Sequence, residues 1–268
     1  APFEKANAVV LKTGDAVARG QRLQLFENDP GHYTVSPVSG KISQVYPFIG
    51  MMQKRMTAVV IDTDKDADIE DEKFQSVVKD PSLSGAARYL GAVPGKPDFA
   101  SLAEPDRSVQ TIAVVGADMD LLSITNQYVV KNNIGAIKSG IHAVRKITGV
   151  QNVVLFVPQY LAGLAGAAET SIKTVDTIYP AAHPQMIRLQ LMNEPALETD
   201  VAFLSAEAVA SIGAAVDTGK LHFEKLVTVV RKTGEKLLVK APVGTHLSDV
   251  LEAVSETVAS GDRVIFGG

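Results

Sequence analysis

Cysteine and tryptophan are both missing from this sequence. Without thiolates the chain itself forms no disulfide, carries no cysteine nucleophile and ligates no iron–sulfur cluster or cysteine-bound zinc. Long apolar runs are missing too, because no stretch approaches the roughly 18 residues that span a bilayer, and the first residues show no basic-then-apolar signal pattern. We therefore predict a folded protein with no direct membrane span, which reaches a membrane only through a partner.

An excess of positive charge is also absent. The 268 residues carry 26 Lys and Arg against 30 Asp and Glu, a formal net charge of -4. Nucleic acid is therefore not an expected partner, since its binding needs Lys and Arg gathered on one face. The densest charged run, residues 62–73, is acidic and lacks the ligand order and the glycine of a calcium loop, which favours a solvated linker over an ion site.

The usual signs of catalytic and nucleotide sites are missing as well. Residues 36–42, SPVSGKI, contain the Gly-Lys of a phosphate loop, but Val35 and Ile42 stand where that loop needs Gly and Ser or Thr. Gly163 and Gly166 come too late after their strand for a dinucleotide fingerprint. The five histidines have no metal-pair spacing, and no Gly-x-Ser-x-Gly elbow occurs. We predict no catalytic residue and no metal ligand, and we interpret SPVSGKI as a turn between strands.

The pattern of the remaining sequence changes along the chain. Residues 1–63 are short strands rich in Val, Ile and Tyr with Gly and Asp turns, which predicts a small all-β module. Residues 64–110 form an acidic linker and a loop region with short helices. Residues 111–222 alternate apolar strands with helices, which predicts a mostly parallel, doubly wound sheet. Residues 223–268 have two strands around a Gly turn, a helix and a closing strand, DRVIF, in β-grasp order. The predicted fold class is multi-domain α/β.

The all-β module has the outline of a biotinyl or lipoyl domain, a barrel-sandwich hybrid. A true carrier holds a Lys at the tip of an exposed hairpin, where the acyl or biotin arm can swing. The matching connection here, residues 27–34, has no Lys, and Lys54 lies in a later connection. A carrier or ligand-binding module therefore remains an alternative function rather than the first prediction.

One constellation indicates a ligand site. An apolar strand ends at Gly116, and Asp118 and Asp120 follow it at the carboxyl edge of the predicted sheet. Ligands of such sheets bind at this edge, where paired carboxylates can hold ribose hydroxyls or position a cofactor amide. The competing interpretation is an Asp-rich helix cap, which the spacing alone favours.

The order of the modules and several motifs resemble RnfC and NqrA. These are peripheral subunits of the Rnf complex and of the sodium-pumping NADH:quinone reductase, and they are related to the flavin-bearing subunit of respiratory complex I. The resemblance covers nearly the whole chain: the barrel-sandwich start with SPVSGKI, a Rossmann-like centre, a soluble-ligand-binding β-grasp (SLBB) module, and residues 261–268, GDRVIFGG. It implies a cytoplasmic protein, peripheral at the membrane through the other subunits of an electron-transport complex. The strand-like run NAVVL near the start and the apolar strand candidate RVIF just before the last two glycines predict a chain truncated at both ends. In RnfC proteins an iron–sulfur region follows this point, so the resemblance implies such a region beyond residue 268.

The resemblance implies FMN and NADH as ligands, held in the family by a glycine-rich loop. The matching residues 82–94, SLSGAARYLGAVP, keep Gly85 but place Arg88 and Tyr89 among the positions of the family's glycines, Phe and Pro. Side chains there hinder the close approach of a backbone to a phosphate or a ring. The resemblance therefore implies a degenerate pocket that includes Gly85 and Arg88.

The family's NGAECEP segment is similar to VGADMDL here. Gly116 is kept, while Asp118 and Asp120 replace two glutamates. These three residues complete the set predicted to bind a cofactor. The first functional hypothesis is a peripheral subunit with a docking role and a degenerate FMN/NADH pocket. The alternatives are an active NADH dehydrogenase subunit that passes hydride to FMN, and a non-enzymatic carrier or ligand-binding module, so enzymatic activity stays open.

Overall fold

The computed structural model shows a mixture of helices, a parallel sheet and antiparallel sheets, which confirms the α/β class in general terms. The chain divides into two compact units, Ala1–Lys79 and Asp80–Gly268. The barrel-sandwich, Rossmann-like and SLBB assignments remain predictions. Lys54 lies outside the described residues, which are 9–27, 29–50, 53, 55–64, 69–104, 108–120, 122–192 and 200–265.

The described residues of the first unit form two small antiparallel sheets and one helix. One sheet has the order β1-β4-β5, and the other is the hairpin β2-β3. Its core contains Val17, Leu23 and Ile42, with Val45 and Val59 packed against them. Its elements are β1 (Ala16–Val17), β2 (Arg22–Phe26), β3 (Asp29–Val35), β4 (Gly40–Ile49), β5 (Arg55–Thr63) and α1 (Phe74–Lys79).

The SPVSGKI stretch leads into the central strand of the three-stranded sheet. Gly40 begins β4, and a Cβ atom there would lie 2.1 Å from the carbonyl oxygen of Asp62 on β5. Glycine is therefore needed for the close approach of two backbones, as strand glycines often are. Lys41 is exposed and faces solvent. The stretch serves strand pairing, in agreement with its interpretation as a structural turn.

The second unit is organised around a four-stranded parallel sheet with the order β8-β7-β6-β9. The chain moves outward from β6 through β7 to β8, then returns to pair β9 with the other side of β6. Strand order thus reverses between β6 and β9, a topological switch point. The elements are α2 (Leu83–Tyr89), α3 (Phe99–Leu102), β6 (Thr111–Val115), α4 (Thr125–Asn132), α5 (Ile134–Thr148), β7 (Asn152–Pro158), α6 (Ala162–Ala165), β8 (Ser171–Val175), α7 (Pro184–Met192), β9 (Val201–Ser205), α8 (Ala206–Thr218), β10 (Glu224–Val230), β11 (Lys236–Pro242) and α9 (Leu247–Ala253).

Both faces of the parallel sheet are buried, which explains the continuous apolar strands in the sequence. On one face, Val115 and Phe156 pack with Ile187 and Leu191 of α7. Alternate residues of β6, such as Val114, point to the other face and are also fully buried. Helices α4 and α8 lie against β7 and β6. No helix among the described residues combines the length and the apolar content required to cross a membrane.

Helices α5 and α8 approach each other closely at two glycines. A Cβ atom at Gly140 would lie 1.9 Å from the carbonyl oxygen of Val209, and one at Gly213 would lie 2.0 Å from that of Ala136. Neither separation is possible for real atoms, so both positions require glycine. The loss of helix propensity at these residues is offset by direct backbone packing between the two helices.

The C-terminal part consists of the antiparallel hairpin β10-β11 followed by α9. Gly234, with φ of 85°, supplies the predicted turn. The predicted closing strand, DRVIF, is wrong for its described part, residues 262–265, which form no strand. Val264 and Ile265 are exposed there, so an apolar strand would bury no surface, and this removes the main reason for strand formation in water.

We predict that Gly140→Ala lowers the free energy of unfolding of the second unit by about 1–3 kcal/mol, because overpacking outweighs the gain of roughly 1 kcal/mol in helix propensity. Gly135→Ala in the same helix is the matched control, since a Cβ atom there meets open space. We expect that variant to be neutral or more stable by up to about 1 kcal/mol. Urea denaturation followed by circular dichroism measures both changes, and equal effects would refute close helix packing at Gly140.

Candidate functional site

Gly116 is the first residue after β6 and is enclosed by neighbouring elements. A Cβ atom there would lie 2.7 Å from a methyl group of Val130 on α4 and 3.0 Å from the carbonyl oxygen of Phe156 on β7. The Gly116 N–H also donates to that carbonyl, at 2.7 Å. Packing therefore accounts for the glycine at this predicted site position.

Asp118 caps the N-terminus of α4. Its carboxylate accepts hydrogen bonds from the backbone N–H groups of Asn126 (2.8 Å) and Gln127 (3.2 Å), from both of their side-chain amides (3.4 and 3.0 Å) and from the Ser123 hydroxyl (3.2 Å). A carboxylate is favoured at this position because the first N–H groups of a helix have no intrahelical partner and carry partial positive charge. The capping interpretation of Asp118 thus describes its observed contacts.

A hydrogen-bonded chain extends from this cap to a tyrosine. Gln127 donates its amide N–H to Asp118, while its carbonyl oxygen accepts a hydrogen bond from the Tyr160 hydroxyl. The two contacts fix the orientation of the Gln127 amide. Partial burial, and then the negative charge of Asp118, raise the pKa of the Tyr160 phenol above its ordinary value, because both disfavour a phenolate.

A cavity of about 260 Å³ opens beside this network at the carboxyl edge of β6, β7 and β8. Asp118 and Asp120 contribute carboxylates from the loop after β6, and Asp176 contributes a third directly after β8. The lining also includes one cation, Lys236 of β11. The remaining lining residues are Ala117, Met119, Ser123, Ile124, Gln127, Pro158, Thr177, Ile178, Tyr179, Pro180 and Ala182.

The structure brings together only part of the predicted cofactor site. Asp118 and Asp120 share the cavity, and Gly116 directly precedes its first lining residue. Gly85 and Arg88 do not line it. Gly85 lies in the first turn of α2, where its N–H donates to the Ser82 hydroxyl at 3.2 Å, and Arg88 is exposed near the end of the same helix.

Sequence reasoning missed Asp176, Lys236 and the Gln127–Tyr160 pair. Asp176 had a detectable signal, because it directly follows an apolar strand whose carboxyl end meets the same sheet edge. The strand β8 ends at Val175, one residue before Asp176. Lys236 had no such signal, since its position depends on how the hairpin packs on the sheet.

The hairpin β10-β11 is attached at the switch point between β6 and β9. Glu207, in the first turn of α8, is mostly buried, and its carboxylate contacts Lys225 Nζ at 2.6 Å and the Leu226 N–H at 3.3 Å. Its own backbone N–H donates to the Asn126 side chain at 3.2 Å. The Thr228 hydroxyl accepts the N–H of Ile124 at 3.2 Å. These contacts fill the crevice where a dinucleotide lies in sheets of this topology.

Side chains of the chain consequently occupy N–H groups at the beginnings of the helices that follow β6 and β9. At α4 the acceptor is the Asp118 carboxylate, and at α8 the acceptors are Ser205 Oγ and Asn126 Oδ1. Phosphate binding at a helix N-terminus needs free N–H groups and a positive field, and both are reduced here. Within the described part of the chain, no group of three or more His, Asp or Glu side chains has metal-site geometry. The cavity therefore suits neutral or cationic groups better than phosphates.

We predict that Asp118→Ala lowers the free energy of unfolding by about 1–2 kcal/mol, because the N–H groups of Asn126 and Gln127 lose their acceptor. Asp120→Ala is the matched control. Its side chain makes no hydrogen bond or ion pair to the described residues, so a change within about 0.5 kcal/mol is expected. Chemical denaturation measures both variants, and an equally small effect at Asp118 would contradict its role as a cap.

We predict that Asp118→Asn lowers the pKa of Tyr160 part of the way toward about 10. The negative charge that opposes phenolate formation is removed, while burial, the larger cause, continues to raise the pKa. Tyrosinate absorbance is titrated against pH, and the signal of Tyr160 is isolated by subtracting the curve of Tyr160→Phe in the same background. Asp120→Asn should leave the pKa unchanged. A Tyr160 pKa that is insensitive to Asp118→Asn would contradict electrostatic coupling of the two groups.

No protein-family model matches the chain, and no curated protein is significantly similar to it.

Proposed function

We propose that this chain is a peripheral subunit of a membrane-bound electron-transfer complex, similar to RnfC and NqrA, with a docking role and a degenerate FMN/NADH pocket. Its motifs support this proposal, as does the order of its parts along the chain, from a small β unit through a parallel α/β sheet to a hairpin with a helix. In this proposal the three parts are the barrel-sandwich, Rossmann-like and SLBB modules. The protein is cytoplasmic and reaches the membrane through the other subunits.

The observation that carries the proposal is the capping of α4 by Asp118. In a nucleotide-binding α/β sheet, the helix after the first strand offers its free N–H groups to phosphate. Here the N–H groups of Asn126 and Gln127 already donate to a carboxylate of the same chain. A phosphate would have to displace this carboxylate and then lie beside its negative charge, which opposes the binding of FMN and NADH.

Residues 82–94, which match the family's glycine-rich loop in the resemblance, also argue against binding of FMN and NADH. Much of this stretch forms helix α2, Leu83–Tyr89, in which Ala86 is fully buried and donates its N–H to the Ser82 carbonyl at 2.9 Å. Ser82 caps the helix through its hydroxyl. Backbone N–H groups that are used within a helix cannot also surround a phosphate. The residues around Arg88 therefore lie in a helix whose N–H groups are used internally.

The cavity itself is small and acidic. Its volume of about 260 Å³ is below the range of roughly 300–1,000 Å³ that is typical of small-molecule and cofactor pockets. Its described lining residues include three aspartates and one lysine, which is unfavourable for the phosphates of either ligand. The active NADH dehydrogenase alternative requires stacked flavin and nicotinamide rings in this space.

The direct test measures binding of FMN and of NADH to the purified chain by calorimetry and by ligand fluorescence. We expect no saturable binding of either ligand up to about 1 mM, which corresponds to a binding free energy weaker than roughly -4 kcal/mol. Dissociation constants near 10 μM or below would overturn the degenerate pocket and favour the active dehydrogenase.

The docking role is tested separately, with a tagged chain in the cells that produce it. Recovery of redox-active membrane subunits with the chain after detergent extraction is the expected result. A chain that is never recovered with such subunits would contradict this part of the proposal. An intact mass that includes an acyl or biotin group on Lys would instead support the carrier alternative.

A further inference from the structure

We propose that the cavity at the carboxyl edge of β6, β7 and β8 binds an arginine side chain of a partner subunit. This inference rests on the docking role proposed above and names the contact through which docking occurs. Three features of the second unit support it: an exposed apolar and aromatic rim, carboxylates without partners among the described residues, and a volume suited to one side chain.

The rim of the cavity consists of large side chains that the chain leaves exposed. Met119 is 49% exposed, Ile178 73% and Tyr179 62%, and each lines the cavity. Tyr160, 66% exposed, is hydrogen-bonded to the lining residue Gln127. These side chains follow three adjacent strands, so they share one edge of the sheet. Aromatic residues and Met are enriched in protein interfaces, and exposed apolar groups gathered around a cavity mark interaction surfaces.

The charge of the lining residues determines which kind of partner side chain the cavity favours. Asp118 is saturated by donors of its own chain, whereas Asp120 and Asp176 make no side-chain hydrogen bond or ion pair to any described residue. With Lys236 as the single cation among the described lining residues, these residues carry a net charge of minus two. A complementary partner therefore presents a cation here, while a phosphate or a carboxylate would be repelled.

The shape of the site favours arginine over lysine and over a larger ligand. The volume of about 260 Å³ is below the usual range for small-molecule pockets. A planar guanidinium can bind a carboxylate through two parallel hydrogen bonds and can stack on a tyrosine ring, and an ammonium group can do neither so well. Arginine is also among the residues that dominate binding energy in interfaces. Asp120 and Asp176 would bind the guanidinium, and Tyr160 or Tyr179 would cover it.

The experiment selects ligands from a random dodecapeptide display library on the immobilised chain. We expect enriched peptides to contain an arginine next to apolar residues. The best peptide is then synthesised and its affinity is measured by calorimetry. Replacing its arginine by citrulline, the neutral isostere, should weaken binding at least about tenfold, because a close ion pair is lost. Lysine in its place should weaken binding by a smaller factor.

Variants of the chain test whether the peptide binds in the cavity. Asp120→Asn combined with Asp176→Asn should weaken peptide binding at least about tenfold, and circular dichroism should show an unchanged fold because neither carboxylate bonds to described residues. The matched control is Asp217→Asn with Glu252→Gln, which removes two exposed charges outside the cavity and should alter affinity less than about twofold. Enrichment of peptides without arginine, no enrichment at all, or equal effects of the two double variants would overturn the proposal.

Failure of this inference can be separated from failure of the proposed function. If FMN or NADH binds the chain and displaces the peptide, the cavity is a working cofactor site and the degenerate pocket is wrong. If neither ligand binds and no arginine peptide is selected, only the arginine contact is wrong. In that case the proposed docking role is judged by the recovery of membrane subunits alone.

Discussion

The second unit depends on the contact between the Asp118 carboxylate and the N-terminus of α4. This contact satisfies N–H groups that the helix cannot pair internally, and it places a negative charge against the positive end of the helix dipole. It also orients Gln127, which in turn holds the Tyr160 hydroxyl. One side chain thereby joins the end of β6 to α4 and to the turn after β7, and forms part of a cavity wall. The same contact occupies the N–H groups that nucleotide-binding sheets offer to phosphate.

The switch point between β6 and β9 lies next to this contact, and the hairpin β10-β11 of the same chain is attached there. Glu207 pairs with Lys225 and accepts the N–H of Leu226, so the hairpin β10-β11 is attached across the edge of the sheet. A mostly buried carboxylate needs such partners, since losing one leaves a charge in a poorly solvated place. Attachment of the hairpin also brings Lys236 to the cavity. The contacts of Glu207 with the hairpin therefore influence both how the hairpin packs and which charged residues line the cavity.

These features favour a surface for protein contacts over a cofactor pocket. The edge of the sheet presents Met119, Ile178 and Tyr179 to solvent around a small acidic cavity. Interfaces commonly combine exposed aromatic groups with a charged group that pairs with an opposite charge on the partner. A sheet of this kind can present a protein-contact surface in place of a nucleotide site once the first N–H groups of its helices are bonded to side chains of the same chain, because function belongs to the site and not to the fold.

The sequence by itself indicated the alternating strands and helices of the second unit and two of the described residues that line the cavity, Asp118 and Asp120. A continuous apolar run such as the one ending at Val115 favours a strand buried on both faces, and the spacing of Ile137 and Ile141 indicates the buried side of α5. The position of Asp118 and Asp120 just after a parallel strand placed them at the sheet edge. Only the tertiary structure decided that Asp118 is a cap, that Gly85 and Arg88 do not line the cavity, and that Asp176 and Lys236 do. The reason is physical: periodicity records burial within one element, whereas a site is made where separate elements pack together, and no local pattern encodes that packing.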